Sequence, residues 1–350
     1  MSTGTTERGS GLDESANAEF YSTIKENHYS PLWQLMGGLG PEAKTNMVPH
    51  IWRYEQARAL MVQAGEVVPL EDALRRVLGF RNPGSRPFDR TGATDTLWSA
   101  LQLVKPGEIA PAHRHTPSAL RFIIEGDGAY TVVNGQRVPM DEGDFLLTPN
   151  GHWHEHGHTG EGPMIWLDGL DSPLMSRLNQ YIIDEEGALQ DVDPAMPAPY
   201  VNGLISKPWG EAERVAQPLV YKLKDALETI EYLREREGDP FDDIIVEYRN
   251  PISGGPVMTT IAAFLQLIRP GVDTKAHRHT HSTVYHVVRG SGYSIVDGER
   301  IEWTKGDTLA IPLWYEHSHH NHTGEDAVLF SYTDKPAIEA LGLGRMRASE

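Results

Sequence analysis

LQLVKPGEIAPAHRHT (residues 101–116) and LQLIRPGVDTKAHRHT (residues 265–280) are one phrase written twice. Ten of the 16 positions are identical at an offset of 164, and the register continues, with Gly126 and Gly128 answering to Gly290 and Gly292. One residue is then lost, after which Gly135, Arg137, Gly143, Asp144, Pro149 and His154 match Gly298, Arg300, Gly306, Asp307, Pro312 and His317. That period is too long for a solenoid, so the chain reads as two homologous domains carrying the same site. Histidine is distributed accordingly. Of 16 histidines, 14 fall in two windows, His113–His158 and His277–His322, and only His28 and His50 lie outside them. Imidazole is the commonest protein metal ligand and the usual proton carrier near neutrality, so its concentration points to a site.

Each repeat carries β signals. LRFIIEG, AYTVVNG, VYHVVRG and YSIVDGE are short β-branched or aromatic runs closed by turn residues. Asn134-Gly135 and Asp297-Gly298, flanked by apolar runs, predict two-residue hairpins. Many short strands with regular turns suggest a sandwich or barrel. Helices are expected outside these cores, over 53–65, over 71–79, and within KLKDALETIEYLREREGDP (222–240), where Ala226, Leu227, Ile230 and Leu233 share a face.

Composition narrows the partners. At 350 residues the chain is long enough for two domains of about 150 residues each. A formal charge of −18 argues against nucleic acid, which requires clustered Lys and Arg. No apolar run approaches the ~20 residues of a membrane helix, and MSTGTTERGSGLDESANAEF has no apolar signal core, so a cytoplasmic protein is expected. The absence of cysteine removes disulfides, thiolate nucleophiles and Cys-ligated metals.

His113-Arg114-His115 places two imidazoles on the same face of a strand, within reach of one ion. A lone His-x-His is weak evidence; two copies, each followed by a downstream histidine at a fixed spacing, are strong. His113, His115 and His154 are therefore candidate ligands in the first repeat, and His277, His279 and His317 in the second.

These patterns resemble the two motifs of the cupin superfamily. Gly107, His113, His115 and Gly126 match the first motif, and Gly143, Pro149, Gly151 and His154 the second. In the C-terminal copy Gly271, His277, His279 and Gly290 match the first, and Gly306, Pro312, His317 and Asn321 the second, with Trp314 in place of its glycine. The motif's glutamate is absent, Ala119 and Thr283 standing in its position. A site with three neutral ligands leaves a dication uncompensated and about three positions open on iron(II), which suits a chelating anion plus dioxygen. The resemblance implies a mainly β bicupin, two jelly-roll β-barrels with flanking helices. Its expected layout is a flexible tail over 1–20, an N-terminal cupin with leading helices over 21–175, a helical and loop segment over 176–240, and a C-terminal cupin over 241–350.

Longer strings resemble gentisate 1,2-dioxygenases and the ring-cleaving bicupins related to them, which act on salicylate or 1-hydroxy-2-naphthoate. They run from PLWQL (31–35) and VPHIWRY (48–54) to SYTDKPAIEALGLGRMR (331–347), and include LRRVLGFRNPG (74–84), HRHTPSALRFIIEGDG (113–128) and WLDGLD (166–171). The resemblance implies cleavage of gentisate by dioxygen to maleylpyruvate, with one Fe(II) per active cupin domain, and a homotetramer. By position it places Arg75, Trp98, Gln102 and Arg121 in the substrate pocket, His156 and Asp168 in catalytic roles, and the two histidine triads on metal. His152, His158, His319, His320 and His322 are expected at the surface, off the metal. Tyr285 stands where the first copy has Arg121, which weakens the case for an identical second site. A non-catalytic bicupin predicts degenerate ligands or a secretion signal, and neither is seen. A cupin isomerase or decarboxylase would bind metal without consuming oxygen.

Overall fold

The computed structural model describes residues 17–35, 40–73, 75–85, 92–185, 187–190, 192, 217–236 and 238–349. The chain divides into two compact units, Met1–Lys44 and Thr45–Glu350. The first contributes the helices Ala18–Glu26 and Leu32–Leu35, with the Trp33 indole 3.3 Å from the Tyr21 hydroxyl. The tail expected over 1–20 thus lies mainly outside the described residues, and the first helix begins within its last three. Among the described residues no helix is long and apolar enough to cross a membrane.

In the second unit both repeats form cupins, each a pair of facing antiparallel sheets wound as a jelly roll rather than one continuous closed barrel. The first cupin's inner sheet has the central strands Phe145–Thr148, Ala119–Glu125, Met164–Leu170 and Trp98–Val104. Its facing sheet runs Ile183–Asp184, Ile109–His115, His154–His158, Ala129–Val133, Gln136–Met140. The second cupin repeats this plan with Thr308–Ile311, Thr283–Arg289, Ala327–Thr333 and Ala262–Ile268 inside. The hairpins form as expected: Asn134 and Gly135 take φ of 47° and 80°, and Asp297 and Gly298 take 45° and 84°, the left-handed pair that a two-residue turn needs.

The inner strands are apolar on both faces because both faces are covered. Leu101, Leu103, Leu120, Phe122, Phe145 and Leu167 point at the other cupin and meet Leu265, Leu267, Val284, Phe330 and Tyr332 in a single shared core. Phe122 stacks on Phe330 at 4.6 Å. The alternate positions, Val104, Ile123, Leu146 and Trp166, fill the first cupin's interior. This alternation decides the site: Gln102, Arg121 and Asp168 share parity with the interior set.

Two features depart from the expected layout. The segment 71–79 was expected to be a helix, but only Leu70–Ala73 is helical, and Arg76–Gly79 is a strand on the edge of Trp98–Val104. Its Leu and Val spacing suits either state, and the open edge of the inner sheet settles the choice. The second departure is an exchange of arms. His50–Trp52 pairs not with its own cupin but with Thr308–Ile311 of the other, and Val220–Tyr221 pairs reciprocally with Phe145–Thr148. A helix follows each arm, Tyr54–Val67 and Leu223–Leu233. The latter buries Ala226 and Ile230, with Leu227 and Leu233 packed behind, as its apolar face predicts, but it ends at Leu233, short of Gly238. Each arm is pinned by an ion pair to an equivalent aspartate: Arg53 to Asp307 at 2.6 Å, Lys222 to Asp144 at 2.5 Å. A second reciprocal clasp joins Asp171 to Thr260 and Asp334 to Thr96, each at 2.5 Å, while the same carboxylates accept from the Ser118 and Ser282 amides.

Gly306 lies under the exchanged helix with φ of 90°, and a Cβ there would come within 2.6 Å of the Tyr54 ring. Gly306→Ala is expected to cost about 2–3 kcal/mol, combining backbone strain with the displaced ring. Urea unfolding monitored by circular dichroism tests this; a midpoint equal to that of the parent would show that the arm is not seated as described.

Candidate active site

The first cupin aims its histidines by a register irregularity. Along Ile109–His115 the partners run Ala110↔His156, then His113↔His154, so one extra residue is accommodated. The burial pattern shows the result: Ala110 and Ala112 face inward, then parity flips and His113 and His115 do. A bulge that re-aims side chains beside a site is a recurrent device. The second cupin has the same irregularity between Asp273↔His320 and His277↔His317.

One ring nitrogen from each of His113, His115 and His154 lies within 4.8 Å of the others, and all three residues are buried. Their Nδ1 atoms are engaged by backbone carbonyls: His113 with Pro111 at 3.2 Å, His115 with Pro117 at 2.7 Å, His154 with His152 at 3.0 Å. That bond puts the proton on Nδ1 and leaves the Nε2 lone pair for the common centre, the arrangement of a metal-binding imidazole. His154 Nε2 is buried without a partner. Burial, followed by the nearby Arg75 charge, pushes His113 down to about 2, and burial pushes His115 down to about 4. Three neutral, oriented donors around one point fit a divalent ion.

Around this centre the inner sheet supplies polarity. Arg121 and Asp168 are cross-strand partners, with Arg121 Nε 3.4 Å from Asp168 Oδ1 and both buried. Arg121 donates to the Thr148 hydroxyl at 2.5 Å, and the Trp166 indole donates to Asp168 at 3.0 Å. Burial raises the Asp168 carboxyl to about 6 against the pull of Arg121. His156 is buried beside His154 (centroids 5.8 Å apart) and Trp166 (5.3 Å), with neither ring nitrogen partnered. Burial, reinforced by Arg121, holds it well below the usual imidazole range, so it is neutral. Gln102 Nε2 is likewise buried and unpaired. Arg75 pairs with Glu185 at 3.0 Å, and its charge reaches His113, His156 and Asp168. Trp98, half-buried at the start of its strand, shares parity with Gln102 and packs by its indole near Gly79.

The second triad, His277, His279 and His317, reproduces the first, with centroid separations of 5.4, 4.3 and 4.9 Å against 5.5, 4.0 and 4.9 Å. His279 and His317 bond by Nδ1 to the His281 and Tyr315 carbonyls. Trp314 takes φ of 65° where Gly151 has 73°, and its amide bonds to the His279 carbonyl as that of Gly151 does to His115. The replaced motif glycine thus keeps its turn, at a backbone cost of about 1–2 kcal/mol.

Comparison with known proteins agrees with the geometry. The Cupin domain family model matches residues 100–169 and 264–333. Gentisate 1,2 dioxygenase 1 of Aquipseudomonas alcaligenes is 34% identical over 333 residues, 93% of this chain and 95% of that protein. The chain belongs to the gentisate 1,2-dioxygenase family. Also similar are the 5-aminosalicylate 1,2-dioxygenase of Comamonas sp, 36% identical over 91% of this chain and 87% of that protein, and a solved structure. The latter is salicylate 1,2-dioxygenase from Pseudoaminobacter salicylatoxidans as adducts with gentisate, with a TM-score of 0.87 and 31% identity, covering 98% of this chain and 97% of that one.

Within the gentisate 1,2-dioxygenase fold, Arg121, Asp168, His156 and Gln102 lie in the first cupin's interior, the Arg75 charge reaches His113 from just before the edge strand Arg76–Gly79, and Trp98 begins the neighbouring strand, beside Gly79. Two histidines expected at the surface are not there. His158 is buried, its ring bonded to the Gly162 carbonyl and the Gly160 amide, and His319 is buried against Ser294 at 2.8 Å and Tyr285. Both share strand parity with ligands, a signal the sequence carries once the strand is placed. His320 and His322 both bond to the Asp273 carboxylate at 2.6 Å on the outer face. Thr148, Trp166 and Glu185 were not anticipated. Thr148 directly precedes the motif's Pro149, whereas Glu185 lies on a segment with no motif.

Acid should unfold this site first. Ten histidines, His113, His115, His154, His156, His277, His279, His281, His286, His317 and His319, lie below their ordinary value through burial. Neutral when folded, they take protons when unfolded, so stability falls as pH drops through about 6.5. Asp168, Asp171 and Asp334 (raised to about 6) and Asp242 (to about 7) act oppositely, taking protons first in the folded state between about 4 and their raised values. With His50 also lowered, and Asp144 and Glu155 also raised, eleven histidines stand against six carboxylates, at a limit of about 1.4 kcal/mol per pH unit for each net proton. Metal-free protein is expected to lose urea resistance from pH 7.5 to 5.0; equal midpoints would contradict the neutral imidazole clusters.

Proposed function

We propose that this protein is a cytoplasmic iron(II)-dependent dioxygenase that cleaves gentisate, 2,5-dihydroxybenzoate, with dioxygen to give maleylpyruvate, working as a homotetramer. The observation that carries the reading is the first cupin's combination of an oriented, all-imidazole triad with a buried Arg121–Asp168 pair and an unpartnered neutral His156. Iron(II) held by His113, His115 and His154 would supply open coordination positions and the electronic path by which triplet dioxygen reacts with a closed-shell phenol.

The chain's own residues do the rest. Arg75 and Arg121 draw in the anionic substrate, and a guanidinium matches a carboxylate in shape as well as charge. Asp168 positions Arg121 through the buried pair, and Thr148 fixes the fork from the other side. Gln102 Nε2 is a free donor for a substrate oxygen. His156, neutral and unpaired, accepts the proton of a ring hydroxyl as the substrate binds. Trp98 and Trp166 bound the space with apolar surface, which excludes water and strengthens each charge contact.

The test is anaerobic loading with iron(II), then gentisate in air-saturated buffer, following oxygen uptake and the maleylpyruvate ultraviolet band. Uptake with the band supports the reading; bound iron without uptake on any of the three aromatic acids sinks it. A second reading, salicylate or 1-hydroxy-2-naphthoate as the main substrate, draws on the same site, since a salicylate-cleaving relative also accommodates gentisate. Turnover with and without the 5-hydroxyl separates the two.

A further inference from the structure

The second cupin keeps the ligands and inverts what surrounds them. Its triad opens on a cavity of about 440 Å³. Where the first site has the Arg121–Asp168 pair, the second has Tyr285 and Ser331, strand partners in the same register. The edge strands align through Val77↔Gln102 and Ile245↔Gln266. Arg75, two residues before Val77, therefore corresponds to Asp243, and the adjacent Asp242 lines the second cavity with Asp239. Of the cations there, Lys335 faces Glu339 at 3.8 Å and Arg345 is exposed at the mouth. No guanidinium is buried beside this triad among the described residues.

The uncharged groups invert as well. Gln102 leaves its donor Nε2 unpaired, whereas Gln266 gives Nε2 to the Asp242 carbonyl at 2.8 Å and leaves its acceptor Oε1 buried and unpaired. The Asp242 carboxylate has a 3.4 Å approach from that same amide and lies within reach of the Lys335 charge. The first site therefore offers donors and cations to an acceptor, whereas the Asp242 carboxylate lining the second cavity suits a donor. Phe241, Phe264 and Tyr285 supply aromatic walls.

We propose that the second cupin holds its own divalent metal ion at His277, His279 and His317, and that its cavity takes a hydrogen-bond-donating, neutral or cationic aromatic ligand in place of an aromatic carboxylate. This rests on the reading that the histidine triads bind metal. The chain then carries two metals and binds one aromatic acid, and the second cavity selects amines or phenols through Asp242.

Cobalt(II) serves as a spectroscopic probe, loaded anaerobically into the parent, His113→Ala and His277→Ala proteins, with folding checked by circular dichroism. About two cobalt ions are expected in the parent and one in each variant. In His113→Ala, whose cobalt sits in the second cupin, dopamine should shift the visible bands and gentisate should not; in His277→Ala gentisate should shift them. Asp242→Asn, placed in the His113→Ala background, should weaken dopamine binding tenfold or more while cobalt stays bound. Should His113→Ala fail to fold, His115→Gln replaces it. A shift with gentisate at the second site, no shift with dopamine, no effect of Asp242→Asn, or cobalt confined to the first triad each overturns the proposal. Absence of cobalt from both triads would instead refute the metal reading itself.

Discussion

His113→Ala should lower gentisate turnover by roughly a thousandfold or more, because losing one of three neutral donors forfeits several kcal/mol of metal-dependent stabilisation. The fold should hardly notice. His113 crowds His154 at 4.0 Å between ring centroids, and its own Nδ1 bond to Pro111 is a long 3.2 Å. Removing the ring from metal-free protein relieves a buried cluster as much as it opens a cavity, so the melting temperature of the apo variant should lie within a few degrees of the parent. Metal content, oxygen uptake and calorimetry together separate the two effects. A variant that keeps both iron and activity would show that the first triad is not the reaction centre. Parallel loss of activity and fold would show that the histidines are chiefly structural.

Arg121→Met is the second large effect, and here stability and activity should fall together. The substitution leaves Asp168 in the interior with the Trp166 indole and the charge of Arg75. Breaking a buried pair from one side costs about 3–5 kcal/mol. The carboxyl then escapes much of that cost by keeping its proton to a still higher pH, so the measured loss should shrink as pH falls toward about 6, where the parent's own carboxyl takes up its proton. The double variant Arg121→Met with Asp168→Leu should recover most of the stability without recovering function. For gentisate, a lost charge-assisted contact of about 1.5–3 kcal/mol corresponds to a 10–150-fold loss in kcat/KM, carried mainly by KM. Unchanged KM, with kcat reduced, would place Arg121 away from the carboxylate and beside the reacting atoms.

The parts of the molecule legible in the sequence are those with a local cause. The repeat, the hairpins at Asn134-Gly135 and Asp297-Gly298 and the histidine triads each need only a short window, since turn chemistry and ligand spacing are local. Arg121, Gln102 and Asp168 were reached through a family resemblance, and their convergence follows from strand alternation. What escaped notice depends on neighbours distant in sequence. Arg76–Gly79 has a helical apolar spacing and becomes a strand only because an edge awaits it. The arms His50–Trp52 and Val220–Tyr221 are three and two residues long, far too short to announce their partners. His319 reads as one more surface histidine until Tyr285 and Ser294 are placed around it.

The exchanged arms also set a timetable for making the protein. His50–Trp52 leaves the ribosome early, yet the strand it pairs with, Thr308–Ile311, is translated roughly 260 residues later. At ~5–20 residues per second that is a wait of about 13–50 seconds, during which an apolar arm has no strand edge to pair with, although the helix behind it can already pack on Trp98–Val104. The first jelly roll meanwhile lacks Val220–Tyr221 on its edge and the second cupin's aromatic face over Phe122 and Phe145. An N-terminal half released on its own would expose that edge and that face, the features that invite aggregation. Duplication followed by exchange has turned two modules into one obligate folding unit, whose final step must await nearly the last strand synthesised.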